Sequence, residues 1–141
     1  MATFYVRPAG DRPDYRVVIS FLWSDEQNVD TDGDSYNPAS RTWTYLFIRN
    51  REPEDETIEI GSIEDDPLVL EIESELECLA ARVAWFLATE TGGDVAESRS
   101  GPFAGPDVLK SKFGEGFDIS RAVDRAARSR FRRSTLERPY P

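Results

Sequence analysis

"TIEIGSIEDDPLVLEIESELECLAARVAWFLATETGG" (57–93) changes its period partway, and that change decides the fold class. In "TIEIGSI" (57–63) and "LVLEIE" (68–73) apolar and acidic residues alternate. Ile58, Ile60, Leu68, Leu70 and Ile72 fall on one side and the acids on the other. Period two marks a half-buried strand with one face on a core and one in water. From Ser74 onward the period is helical. Leu76, Leu79, Ala80, Val83, Phe86 and Leu87 recur at that spacing, which predicts a helix over 75–90 packed on the sheet through this face. Ser74 with Glu77 three residues later forms a capping box, its hydroxyl expected to accept the Glu77 backbone N–H, and Gly92-Gly93 ends the helix. Cys78, Ala81 and Trp85 lie about half a turn away. A second layer covers them, or a partner does.

Working outward, "TFYVR" (3–7), "YRVVISFLW" (15–23) and "TWTYLFIRN" (42–50) are rich in β-branched and aromatic residues and separated by turn formers, so each is expected to be a strand. In the last, Trp43, Tyr45 and Phe47 alternate with Thr44, Leu46 and Ile48. Apolar residues on both faces suit a central strand. Residues 97–117 contain four Gly and two Pro and read as a long loop with one short helical turn around Val108 to Phe113. Asp118 is placed to cap a second helix, "ISRAVDRAARSRF". Ile119, Ala122, Val123, Ala126 and Ala127 form its apolar stripe, and Arg121, Arg125, Arg128 and Arg132 the opposite one. The tail 135–141 is expected to be extended. The expected whole is one α+β domain over 1–141: an antiparallel sheet of four to five strands, one long helix packed on a face and a C-terminal helix.

Hydrophobic residues make up 39% and aromatics 11% of the 141 residues, enough for a real core despite 31% charged residues. The opening "MATFYVRPAG" lacks a secretory pattern and no apolar run is long enough to span a bilayer, so a cytoplasmic chain with no membrane role is expected. One Cys and no His exclude an internal disulfide, the usual zinc sets, and the Ser-His-Asp and Cys-His dyad chemistries. No catalytic constellation and no cofactor motif remain, so a non-enzymatic role is expected.

The net charge of −10 is unevenly spread. Residues 1–98 hold 22 Asp/Glu against 7 Arg, whereas residues 99–141 hold 10 Lys/Arg against 5 Asp/Glu. Between Glu52 and Glu77 there are twelve carboxylates and no Lys or Arg. Ordinary surfaces mix signs. Such a run repels nucleic acid and attracts a basic protein, so Glu54, Asp55, Glu56, Glu64, Asp65 and Asp66, with Trp85 as an aromatic anchor, are the expected partner contacts. The stretch "NVDTDGDSYN" (28–37) spaces Asn28, Asp30, Asp32 and Gly33 as a calcium loop does, but its twelfth position is Ala39 where a bidentate Glu is required. It reads instead as a polar hairpin loop, with weak calcium binding as the remaining alternative.

The sheet-then-helix order and "LAARVAWFLATETGG" (79–93) in so acidic a chain resemble the small immunity proteins that neutralise bacterial toxins. That resemblance implies a cytoplasmic bacterial inhibitor of a basic partner such as a nuclease toxin. An inhibitor that mimics DNA is the alternative.

Overall fold

The protein is described by a computed structural model covering residues 1–52 and 56–141. Glu54 and Asp55, two of the expected partner contacts, lie outside the described residues. The fold is α+β. Its elements are β1 (Ala2–Arg7), α1 (Tyr15–Leu22), β2 (Val29–Gly33), β3 (Tyr45–Asn50), β4 (Thr57–Asp65), β5 (Leu68–Ser74), α2 (Glu77–Thr91), β6 (Asp94–Ala96) and α3 (Ile119–Ala127). Six described strands form one antiparallel sheet in the order β2-β3-β4-β5-β1-β6, more than the four to five expected.

The largest departure from expectation is "YRVVISFLW" (15–23), which is a helix. Asp14 caps it by accepting the Arg16 backbone N–H at 2.9 Å. All eight residues of α1 are buried, including Arg16 and Ser20. Its only polar positions are Arg16 and Ser20, one helical turn apart, and the run of β-branched and aromatic residues around them resembles a buried strand. Tertiary burial then overrides the β-propensity of Val17, Val18 and Ile19. The chain therefore leaves β1 in the interior of the sheet, crosses by α1 to the β2 edge, returns through β2–β5 and crosses again by α2 to β6.

The core lies between the sheet and the helices. Phe4, Val6, Leu46, Ile48, Ile58, Ile60, Leu70 and Ile72 point inward from the strands, as the alternation requires. Helix α2 packs on β1 and β5. Phe21 of α1 stacks on Phe86 with centroids 4.4 Å apart and on Trp85 at 5.8 Å. Trp43 precedes β3 and lies outside it. It is buried, and its indole N–H donates to the Pro13 carbonyl at 2.8 Å.

Ser74 does not cap α2. It is the last residue of β5, held opposite Ala2 in β1, and its hydroxyl accepts the Leu76 N–H at 3.1 Å. Strand pairing keeps Ser74 extended, so the helix begins only after Leu76, which has no side-chain cap. Gly92, in the left-handed conformation at φ 72°, ends the helix as expected.

A 3-10 segment, Pro106–Lys112, lies across α2 and supplies the second layer over Trp85. The Trp85 indole N–H donates to Asp107 at 3.0 Å, and the Phe113 ring meets it edge-on. Asp118 caps α3 by accepting the Arg121 N–H. That helix docks on α1, with Ala122 and Ala126 buried and Val123 largely exposed. The helix ends at Ala127, so Arg128 and Arg132 of the expected stripe lie beyond it. Arg125 donates to the Ser20 and Phe21 carbonyls at the end of α1, and Arg132 pairs with Glu90 of α2. Beyond α3 the tail turns back on α1. Ser134 donates to buried Asp14, and Arg16 donates to the Pro139 carbonyl. Among the described residues no helix is long and apolar enough to cross a membrane.

Candidate functional site

The helices cover one face of the sheet and leave the other open. Strand register determines what that open face displays. Asp32 stands opposite Phe47, Phe47 opposite Glu59, Glu59 opposite Glu73 and Glu73 opposite Thr3, giving one row across five strands. A parallel row runs Tyr45, Gly61, Glu71, Tyr5 and Ala96. Neighbouring strands are about 4.8 Å apart, so Glu59, Glu71 and Glu73 form one carboxylate group at the middle of the face. Tyr45, Phe47 and Tyr5 surround it.

The electrostatics follow from this crowding. Glu73 lies within hydrogen-bonding reach of Glu71, which holds its carboxyl above the ordinary value. Partial burial and the charges of Glu71 and Glu59 add to the effect. Tyr45 donates its hydroxyl to Glu59 at 3.1 Å, and that bond raises the tyrosine pKa. Tyr5 is raised by burial and then by the charge of Glu71.

Three arginines stand near this group: Arg49 lies on the face itself, opposite Asp30 and 5.9 Å from the Phe47 ring, and the other two are paired at its margins. Arg7 pairs with Asp94 at 2.6 Å on the β6 side, and Arg51 pairs with Asp30 at 2.6 Å on the β2 side. Among the described residues Asp32, Glu59, Glu71 and Glu73 have no Lys or Arg within salt-bridge distance. Like charges set opposite one another across strands destabilise a sheet.

The expected contacts fall elsewhere. Glu64 and Asp65 end β4 and Asp66 lies in the turn to β5, so this trio forms a hairpin tip, about 16 Å along the strand from the central row at 3.3 Å per residue. Glu56 accepts the Asn50 side-chain N–H at 3.0 Å beside the entry to β4. Trp85 is 6% exposed and covered by Pro106–Lys112, so it offers no surface to a partner. The residues brought together, Glu59, Glu71 and Glu73, were legible as strand acids, but their adjacency depends on the pairing of β4 with β5.

The stretch 28–37 is a strand in its first half, which corrects the expected hairpin loop. Asp30 is taken by Arg51, Asp32 accepts the Gly33 N–H at 2.7 Å, and Asp34 accepts the Thr44 and Tyr45 N–H groups at 2.9 and 3.2 Å. The three carboxylates thus serve separate structural bonds. Among the described residues no group of three or more His, Cys, Asp or Glu is arranged to hold a metal ion.

The chain matches no protein-family model, no curated protein and no solved structure.

Proposed function

We propose that the protein is a non-enzymatic binding protein, acting in a bacterial cytoplasm, whose open sheet face captures and inhibits a basic protein partner such as a toxin. The observation that carries this reading is the group Glu59, Glu71 and Glu73, which among the described residues has no Lys or Arg within salt-bridge distance, although Arg49 shares the face beside Phe47. Aromatic side chains among the carboxylates add contact area and cation–π acceptors for an incoming Arg or Lys, as the Arg49 guanidinium 5.9 Å from the Phe47 ring illustrates. Desolvating such a pair on binding strengthens it, and the surrounding charge steers the encounter. The alternation of carboxylates with aromatics favours a protein surface over imitation of a continuous phosphate line.

The test is the association rate of the chain with a basic protein it retains, measured against ionic strength. A Glu59→Lys/Glu73→Lys variant that keeps its circular dichroism spectrum is expected to associate at least about tenfold more slowly at low salt. Equal on-rates for parent and variant would refute the reading.

A further inference from the structure

The two edges of the sheet are finished differently. At the β6 edge Val95 pairs with Ala104, with backbone bonds of 2.9 and 2.8 Å, so the outer side is occupied. At the β2 edge no described residue adds a strand.

The phase of the β2 ladder follows from its ends. The Arg51 N–H donates to the Asn28 carbonyl, and on the far side of β3 the Asn50 N–H donates to the Glu56 carbonyl. Residues 28, 30 and 32 therefore direct their backbone groups at β3, because paired positions alternate along an antiparallel ladder. Residues 29, 31 and 33 direct theirs outward. The Gly33 N–H is taken by the Asp32 carboxylate, whereas the N–H and C=O groups of Val29 and Thr31 have no backbone partner among the described residues. These groups present the repeat that an added strand needs.

We propose that β2 accepts an extended, Lys- or Arg-bearing segment of the basic partner, added antiparallel to it. Alternate basic side chains of that segment would stand on the open face at the end of the row, beside Asp32. Among the described residues Asp32 has no Lys or Arg within salt-bridge distance, while Asp30 stays paired with Arg51. A second copy of this chain is the wrong occupant. Two β2 strands paired about Thr31 would set Asp30 opposite Asp32 of the other copy twice, and like charges directly opposite destabilise pairing. The sign of the segment's charge rests on the function proposed above, while the pairing geometry does not.

The experiment is a titration of the full chain, followed by NMR and amide hydrogen exchange, with three short peptides. One alternates lysine with valine, one alternates glutamate with valine, and the third is the lysine peptide N-methylated at every second amide. The lysine peptide is expected to slow exchange of the Val29 and Thr31 amides about tenfold when present at ten times its Kd, and the other two to leave it unchanged. Protection of those amides that survives N-methylation would overturn the pairing. Movement of Glu59 and Glu73 resonances with unchanged exchange at Val29 and Thr31 would overturn the edge proposal while leaving the open-face reading intact. A lysine peptide that perturbs neither place would count against both.

Discussion

The helix layer and the open sheet face treat charge in opposite ways. Among the helices, Asp14, Arg16 and Asp25 are each held by several bonds. Asp14 is wholly buried and holds Arg16 through two guanidinium bonds, at 3.0 and 2.7 Å, while Arg16 lies 4.2 Å from the Phe131 ring. Asp25 accepts from Ser20, from Ser129 at 2.8 Å and from the Arg130 backbone at 3.0 Å. On the open face Glu59, Glu71 and Glu73 face one another. The first region uses its charges to hold the chain together, and the second sets like charges beside one another.

The sharpest way to break this contrast is Asp14→Ala, which leaves Arg16 buried without its carboxylate. A loss of about 3–5 kcal/mol is expected from urea denaturation. A loss below about 1 kcal/mol would mean that the pair contributes as little as a surface one. Asp118→Ala should cost about 0.5–2 kcal/mol through the lost α3 cap, read from the same denaturation midpoint. Glu73→Gln should act in the other direction. Relief of the cross-strand repulsion is expected to raise stability by about 0.2–1 kcal/mol at pH 7. Glu64→Gln with Asp65→Asn at the hairpin tip should stay within about 0.5 kcal/mol of the parent.

The pH dependence separates the same two regions. Burial alone would raise the pKa of Asp25, but the bonds from Ser20, Arg130 and Ser129 outweigh it and the net shift is downward from 3.8. Its contribution is therefore present above the ordinary value and lost as pH falls through the depressed one. Glu73 is shifted upward from 4.5, first by its hydrogen bond to Glu71. The folded state then holds the proton more tightly than the unfolded chain, so stability declines as pH rises from 4.5 through the raised value. Denaturation across acidic pH should show Asp25→Asn flattening the lower limb and Glu73→Gln flattening the upper one. The reverse assignment would contradict the geometry of both sites.

Local sequence was sufficient wherever the deciding interaction is local. Alternation over 57–63 and 68–73 determined strands with acids on one face, the Asp118 cap placed the start of α3, and Gly92 placed the end of α2. Each depends on neighbours a few residues away. Tertiary structure decided the rest. The residues of α1 are buried all round and rich in β-branched and aromatic types, so local propensity pointed to a strand and packing against α2 and α3 made a helix. The signal that remained was Asp14 ahead of it, together with Arg16 and Ser20 one helical turn apart. Ser74 was claimed by pairing with β1, a contact some seventy residues away in sequence. The carboxylate group depends on register, because a shift of one residue between β4 and β5 would separate Glu59 from Glu73 and turn alternate side chains to the other face. Sequence alone determined that this chain is acidic and which strand faces are polar; only the folded sheet decided which acids meet, because cross-strand adjacency is set by pairing between segments far apart in the chain.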